Sequence, residues 1–272
     1  MSDELARIAC ALERLTPAAP AGVDWHAAPA YVWAAAGARS VAELQAPALD
    51  LLRGIDTQKA LVTGNVARLA AGHAAHDMLL WGARGMGKSA LLRAAVAAAQ
   101  AGTPEQLALV QIAPDALAGL TALFAALCPV ERRFLVFIDD LGFEPGDSTG
   151  PRALRSWLEG GVEARPGNVR LAVTANHRAI VPRALSEQDD PINPRDVIDD
   201  KLALADRFGL AIGFHACSQD DYLAIVGGYC TAQGLAWDAA EALEWAKRRG
   251  GRSGRVAWQF VTELAGRSGQ KL

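Results

Sequence analysis

The sequence predicts a parallel α/β sheet followed by a small helical subdomain, and three observations favour this class. Short apolar runs alternate with helical segments at the spacing of parallel strands joined by helices. One run, residues 134–138, is apolar without alternation, as expected for a strand covered on both faces. Beyond residue 217 only helical patterns remain. We therefore predict an Ala- and Pro-rich, partly helical segment over 1–48, an α/β core over 49–216 and a helical subdomain over 217–272.

The composition limits the class of protein. The 272 residues are 51% hydrophobic and 21% charged, with a net charge of −3, which suits a globular chain that can bury a sizeable core. The four cysteines are far apart, at Cys10, Cys128, Cys217 and Cys230. This spacing argues against structural zinc and against a disulfide framework. No apolar run approaches the roughly 20 residues that cross a bilayer, and the acidic start is unlike a signal peptide. We expect a cytoplasmic protein without a membrane partner.

The N-terminal segment carries no recognisable chemistry. Apolar residues between Leu5 and Leu15 recur at helical spacing and predict a short amphipathic helix. The aromatic residues Trp25, Tyr31 and Trp33 follow in a stretch that is predicted to be a loop. There they either cap the core or form a surface for a partner.

The elements of the core follow in order along the chain. Five apolar runs are predicted strands, at residues 78–81, 107–112, 134–138, 169–174 and 210–214. Helices are predicted at 57–71, directly after residue 88, from a cap at Asp115 to about 127, at 151–158 and around 197–205. In the C-terminal region, helices are predicted to begin at Ser218, at Asp238 and near Ser253.

The glycine-rich loop after the first core strand carries the strongest chemical signal. It matches G-x-x-x-x-G-K-[ST], the P-loop, in which glycines let backbone N–H groups approach a triphosphate at a helix N-terminus. Lys88 can reach the β- and γ-phosphates, and the Ser89 hydroxyl can bind Mg²⁺. The residues expected to hold the nucleotide are Gly82, Ala83, Arg84, Gly85, Met86, Gly87, Lys88, Ser89 and Ala90.

Two carboxylates end the strand at residues 134–138, some 50 residues after the P-loop. Asp139 is expected to act on the metal, directly or through its waters. Asp140 is expected to orient or deprotonate the attacking water. The alternative is that both are helix-capping or solvated loop acids.

Four further polar residues are candidates for the site. Asn176 ends the next strand and can bond the γ-phosphate or the water, with Thr174 a weaker candidate; alternatively Asn176 closes a turn. Arg207 can neutralise charge on a transferred phosphoryl group, in cis or from a neighbouring subunit, or it can simply pair with Asp206. Arg255, at the start of the last helix, can reach back to the nucleotide, although arginines at helix starts usually have no such role.

Taken in order, these motifs resemble those of an AAA+ ATPase. A more specific resemblance is to the bacterial AAA+-like ATP-binding family known as domain of unknown function 815, over about residues 45–268. Four stretches of sequence carry this resemblance: FIDDL at 137–141, LEGGVEARP at 158–166, ADRFGL at 205–210 and the S-G-R-x-A pattern at 253–257.

The resemblance implies a three-layer P-loop sandwich with a five-stranded parallel sheet of the AAA+ type, followed by a helical lid. It implies that Asn176 is sensor 1, that Arg207 is an arginine finger acting in trans, and that Arg255 is sensor 2. It further implies that Ile55 contacts the adenine. The chain departs from the commonest pattern at Asp140, where many AAA+ proteins have Glu.

These inferences favour a Mg²⁺-dependent ATPase. It would hydrolyse ATP to ADP and phosphate as a homo-oligomer, and drive conformational change or assembly on a protein or nucleic-acid client. The alternative is an ATP-dependent scaffold or switch with little turnover. A small-molecule kinase is a third reading, disfavoured by the strand-end Asn and the helical C-terminal subdomain.

Overall fold

A single sheet of seven strands organises the protein. The computed structural model describes residues 22–142, 154–158, 165–177 and 205–272. The strand order is β2-β1-β4-β5-β6-β3-β7, and every neighbouring pair is parallel except β1 with β2. The strands are β1 (Ala30–Ala34), β2 (Gly37–Val41), β3 (Met78–Gly82), β4 (Leu107–Ile112), β5 (Arg133–Ile138), β6 (Val169–Ala175) and β7 (Leu210–Phe214). The five predicted strands are confirmed as β3 to β7.

The register of the parallel strands determines where the site lies. Met78 pairs with Leu210, and Gly82 with Phe214, so β3 and β7 end at the same level. On its other side β3 pairs with β6, where Trp81 lies opposite Ala175. The carboxyl ends of β3, β5, β6 and β7 therefore meet at one edge of the sheet, the edge at which ligands bind in open α/β folds.

The first two strands correct the prediction of a five-stranded sheet. Tyr31 and Trp33 were expected to lie in a loop, but residues 30–41 form a hairpin whose first strand pairs with β4. Tyr31 is only 1% exposed, and its hydroxyl donates to the carbonyl of Asp24 and accepts from the N–H of Ala28. The hairpin joins the sheet of the core, while the domain boundary at residue 48 stays a prediction. The helix predicted between Leu5 and Leu15 lies outside the described residues.

Three helices and two short 3₁₀ turns belong to the described part of the core. The helices are α1 (Asp56–Ala70), α2 (Lys88–Gln100) and α3 (Leu120–Leu127). The predicted cap at Asp115 is wrong, because α3 is preceded by a 3₁₀ helix, Pro114–Gly119, whose N-cap is Ala113. Residues 154–158 are helical, and the helix predicted around 197–205 falls almost entirely outside the described residues.

The C-terminal region consists of α4 (Gln219–Gln233), α5 (Ala239–Arg248) and α6 (Gly254–Arg267). All three predicted starts are confirmed. Each helix is capped by a side-chain oxygen that accepts a backbone N–H three residues later, from Ser218, Asp238 and Ser253. Within the described residues, no helix is long and apolar enough to cross a membrane.

The helical subdomain shares its apolar core with one face of the sheet. A continuous cluster of buried side chains runs from Leu91 on α2 and Phe214 on β7 to Tyr222 on α4 and Phe260 on α6. The other sheet face packs on α3 and on the helical residues 154–158. The shared core connects the subdomain directly to the P-loop helix.

Candidate functional site

A cleft of about 950 Å³ opens where the sheet meets the helical subdomain. Four parts of the chain line it: residues 45–55, the P-loop with α2, the ends of β5 and β6, and the facing sides of α4 and α6. Parallel strands direct their carboxyl ends to this edge, and α2 directs its N-terminus to it.

The P-loop requires glycine at three positions. Gly82, Gly85 and Gly87 have φ values of 120°, 74° and 86°, which side chains rarely adopt. A Cβ on Gly82 would lie 2.1 Å from the carbonyl oxygen of Phe214. The N-cap of α2, Gly87, provides no side chain to bond the first N–H groups of the helix. Such N–H groups, together with the helix dipole, favour an anion at this end of α2.

Lys88 is folded against the loop that precedes it. Its Nζ donates to the carbonyls of Gly82, at 2.8 Å, and Ala83, at 3.0 Å, and the residue is 8% exposed. Burial lowers the pKa of Lys88 below its usual 10.5, while the negative charges of Asp140 and Asp139 oppose this shift. A phosphate beside Lys88 would supply more of the negative charge that its ammonium group needs.

The two residues predicted to hold the metal are in direct contact. Ser89 Oγ donates to Asp139 Oδ1 at 2.6 Å, which brings the start of α2 to the end of β5. A hydroxyl and a carboxylate are the hard oxygen donors that Mg²⁺ prefers. Among the described residues no cluster of three or more His, Cys, Asp or Glu could hold a metal ion. A pair of oxygen ligands fits Mg²⁺, which is often bound by one or two protein groups together with substrate phosphates.

The end of β6 contacts both acids. Asn176 Nδ2 donates to Asp140 Oδ1 at 2.5 Å, so Asn176 lies beside the predicted base. Thr174, considered the weaker candidate from the sequence, makes the more extensive contacts. Its hydroxyl donates to Asp139 Oδ1 at 2.6 Å and accepts the backbone N–H of Asp140 at 2.8 Å. Its carbonyl accepts the N–H of Leu141 at 2.8 Å.

The helical subdomain reaches the P-loop through the start of α6. Arg255 lines the cleft, and its backbone N–H donates to the carbonyl of Gly85 at 3.2 Å. The apex of the P-loop is close to the cap of α6, because a Cβ on Gly85 would lie 2.9 Å from Ser253 Oγ. Ile55, which was expected to contact the adenine, is buried and also lines the cleft.

Two aromatic residues of the cleft were not predicted. Tyr229 on α4 and Trp258 on α6 line it from the side of the subdomain, with their ring centroids 5.1 Å apart. Among the described residues, Trp258 is one of the few large apolar side chains that is well exposed, at 40%. It lies one helical turn after Arg255, a spacing that could have drawn attention to it.

Arg207 lies elsewhere. It is not among the residues that line the cleft, and it precedes β7 at the end where Leu210 pairs with Met78. The P-loop begins at the opposite end of these strands, where Phe214 pairs with Gly82. The structure therefore brings together all the predicted site residues from the P-loop, β5, β6 and α6, and separates Arg207 from them.

Solved structures with the same arrangement of strands and helices include a RuvB protein and an ORC protein. The Thermotoga maritima RuvB Holliday junction branch migration motor aligns with a TM-score of 0.53 and 16% identity, covering 84% of this chain and 68% of that one. The Aeropyrum pernix ORC1 protein in complex with DNA aligns with a TM-score of 0.51 and 16% identity, covering 81% and 65%. At such low identity these similarities establish the fold alone.

Sequence comparison defines the family. No protein of curated function matches the chain. The model of the family described as "Protein of unknown function (DUF815)" matches residues 26–268, almost the whole of the described sheet and subdomain. The chain therefore belongs to the DUF815 family, and its fold is that of the AAA+ P-loop ATPases.

Proposed function

We propose that the protein is a Mg²⁺-dependent ATPase that hydrolyses ATP to ADP and phosphate. The observation that carries the proposal is the contact between Ser89 Oγ and Asp139 Oδ1, at 2.6 Å, in a cleft lined by Lys88. ATP hydrolysis requires a phosphate-binding loop and a metal-binding carboxylate to be neighbours. Ser89 and Asp139 are 50 residues apart in the sequence, and the fold brings them into contact.

The P-loop and the residues around it bind the nucleotide. The N–H groups of residues 84–90 would surround the phosphates, and the Lys88 ammonium would turn from the carbonyls of Gly82 and Ala83 toward the β- and γ-phosphate oxygens. The adenine and ribose occupy the apolar part of the cleft, beside Ile55, Tyr229 and Trp258. Ser89 and Asp139 would hold the Mg²⁺, which would supply positive charge against the phosphate oxygens.

The second acid acts on the attacking water. Asp140 accepts a hydrogen bond from Asn176, so these two side chains can hold a water between them and the γ-phosphate. Arg255 contributes positive charge from the subdomain. Because its backbone N–H bonds the carbonyl of Gly85, a nucleotide that moves the P-loop would also move the subdomain.

The position of Arg207 supports a role in a neighbouring subunit's cleft. Leu210 and Phe214 are separated by the length of β7, roughly 13 Å at 3.3 Å per residue, and Arg207 precedes Leu210. Arg207 therefore lies too far from its own P-loop to act on the bound nucleotide in cis. We propose a homo-oligomer in which Arg207 completes the adjacent site, as arginine fingers do.

One observation favours a second candidate, a nucleotide-dependent scaffold or switch with little turnover. Asp140 is shorter than the Glu of many AAA+ proteins, and the amide of Asn176 already occupies one of its oxygens. A shorter acid reaches less far toward the attacking water, which would slow hydrolysis without weakening ATP binding. In this case ATP would order the subdomain without being consumed quickly.

The steady-state ATPase rate per subunit, measured against protein concentration, separates the two candidates. If Arg207 completes the cleft of a neighbouring subunit, the ATPase rate per subunit should rise with protein concentration. The Arg207→Ala variant should lose this activity and still bind ATP. Arg248→Ala, which changes an exposed arginine on α5, is the control and should behave as the wild type. Tight ATP binding without turnover at every concentration would favour the switch. An Arg207→Ala chain with full activity would contradict the shared site.

The remaining parts of the proposal concern partners. We propose that the oligomer acts in the cytoplasm, without a membrane, on a protein or nucleic-acid client. Clients should accumulate on a chain that binds ATP and does not release phosphate. A pull-down with Asp140→Asn in ATP, compared with the same chain in ADP, tests this expectation.

A further inference from the structure

We propose that Thr174 is a positioning residue that orients both acids of the site, Asp139 for the metal and Asp140 for the water. This inference rests on the proposed function, because it assigns the residue that prepares the same site. The sequence suggested a weaker role, in which Thr174 would contact the phosphate or the water itself. The hydrogen bonds of Thr174 run instead to the carboxylate of Asp139 and to the backbone of Asp140.

Thr174 bonds three successive residues at the end of β5. Its hydroxyl donates to Asp139 Oδ1 at 2.6 Å and accepts the Asp140 N–H at 2.8 Å. Its carbonyl accepts the Leu141 N–H at 2.8 Å. The hydroxyl has a single proton, which is used on Asp139, so the direction of the group is fixed. Thr174 is only 1% exposed, so water competes little for these bonds.

The backbone of Asp140 requires such support. Its φ is 51°, and it is the one residue other than glycine with a positive φ among those described. Left-handed backbone is unfavourable for side chains other than glycine and persists where surrounding contacts hold it. Thr174 accepts the N–H groups of Asp140 and of Leu141, and so holds this conformation from both sides of the Asp140 α-carbon.

The end of β6 and the residue after it divide the work between two side chains. Thr174 lies in β6, which ends at Ala175, and Asn176 follows the strand directly. Thr174 contacts Asp139, and Asn176 contacts Asp140. Oδ1 of Asp139 receives a second hydroxyl, from Ser89. When Ser89 serves as a metal ligand, the bond from Thr174 continues to hold Asp139 in place.

Two variants separate positioning from simple packing. Thr174→Val keeps the β-branched shape and removes both hydroxyl bonds, whereas Thr174→Ser keeps the hydroxyl and loses the methyl group. ATP binding should be titrated with and without Mg²⁺, using a fluorescent ATP analogue. Supporting groups of metal ligands typically contribute about 10- to 100-fold in metal affinity or activity. We expect Thr174→Val to raise, by about tenfold or more, the Mg²⁺ concentration that gives half of the Mg²⁺-dependent increase in ATP binding. ATP binding without Mg²⁺ should be unchanged.

Thr174→Ser should restore the wild-type Mg²⁺ dependence. A wild-type Mg²⁺ dependence in a folded Thr174→Val chain would overturn the proposal. A loss of Mg²⁺-free ATP binding in that variant would also overturn it, because Thr174 would then contact the nucleotide directly.

A measurement on the wild-type chain covers the case in which Thr174→Val does not fold. The N–H groups of Asp140 and Leu141 should exchange with deuterium slowly, although Asp140 is exposed, because both are bonded to Thr174. Rapid exchange at both positions would contradict the proposal. If the wild-type chain binds no ATP under any condition, the proposed function fails, and the exchange experiment still tests the contacts of Thr174.

Discussion

Ser89 and Asp139 are 50 residues apart in the sequence, and their side chains meet at 2.6 Å. The first residue belongs to the N-terminal turn of α2 and the second follows β5, so the contact depends on the whole arrangement of the sheet. It joins the part of the cleft that suits phosphate to the part that suits a metal.

The first prediction concerns the charge of Asp139. Asp139→Asn keeps the size of the side chain and removes the negative charge that attracts Mg²⁺, so we expect the Mg²⁺-dependent part of ATP binding to disappear. Binding without Mg²⁺ should be unchanged or stronger, because a repulsive charge near the phosphates is lost. Titration calorimetry with and without Mg²⁺ measures both. Asp220→Asn, on the exposed first turn of α4, is the control. Equal Mg²⁺ dependence in wild type and Asp139→Asn would place the metal elsewhere.

The second prediction separates the two acids. Asp140→Asn removes the base and should reduce ATP turnover by about a hundredfold or more. The affinity for Mg²⁺ and ATP should change only a few-fold, since Asp139 remains. Phosphate release measures turnover, and equilibrium titration measures affinity. Unchanged turnover would mean that another group activates the water.

The third prediction concerns the backbone at the start of the P-loop. Gly82→Ala should lower the free energy of unfolding by about 1–3 kcal/mol from backbone strain alone, because φ is 120°. The added Cβ would also lie 2.1 Å from the carbonyl oxygen of Phe214, which forces β3 and β7 apart. Urea unfolding measures the change. Gly102→Ala is the matched control, since nothing lies within 4 Å of its Cβ, and it should leave stability nearly unchanged. Equal stability of the two variants would show that the junction of β3 and β7 tolerates a side chain.

The fourth prediction concerns the pH dependence of thiol chemistry. Burial, followed by the negative charge of Asp221, raises the pKa of Cys217 to about 11. At pH 8 only about one thiol in a thousand is then a reactive thiolate. Cys217 in the folded chain should therefore resist iodoacetamide at pH 8, while the exposed Cys128 reacts. Mass spectrometry of each cysteine measures the rates, and equal rates at pH 8 would contradict the burial of Cys217.

The same shift has a consequence for stability. The folded pKa of Cys217 lies above the ordinary thiol value of 9.0, so the folded state disfavours the thiolate. The contribution of the Cys217 thiol to the free energy of unfolding is fully present below pH 9 and is lost as the pH rises toward about 11. Cys217→Ser should reduce the loss of stability over that interval.

Local patterns predicted much of the fold and many of the residues that line the cleft. The P-loop is a contiguous pattern, and the caps Ser218, Asp238 and Ser253 each act on an N–H three residues away, so neighbouring residues suffice to identify them. The five buried strands were visible as apolar runs because both faces of a parallel sheet are covered.

The missed features depend on contacts between distant parts of the chain. Strand β1 pairs with β4, where Tyr31 lies opposite Val110, and no local sequence pattern near Tyr31 predicts this pairing. The role of Thr174 depends on where β5 ends, and Trp258 reaches the cleft only because α6 packs beside the P-loop. The distance of Arg207 from the cleft follows from the register of β7, which the sequence does not contain.

The affinity of Lys88→Ala for ATP tests the central claim most directly. Lys88 lines the cleft, and removing the charged partner of a bound phosphate typically costs about 2–5 kcal/mol of binding energy. Equilibrium titration should give one ATP per wild-type chain, and an affinity at least about thirtyfold weaker for Lys88→Ala. Lys247→Ala, an exposed lysine on α5, should bind as the wild type. Wild-type affinity for ATP in Lys88→Ala would show that the cleft is not the nucleotide site.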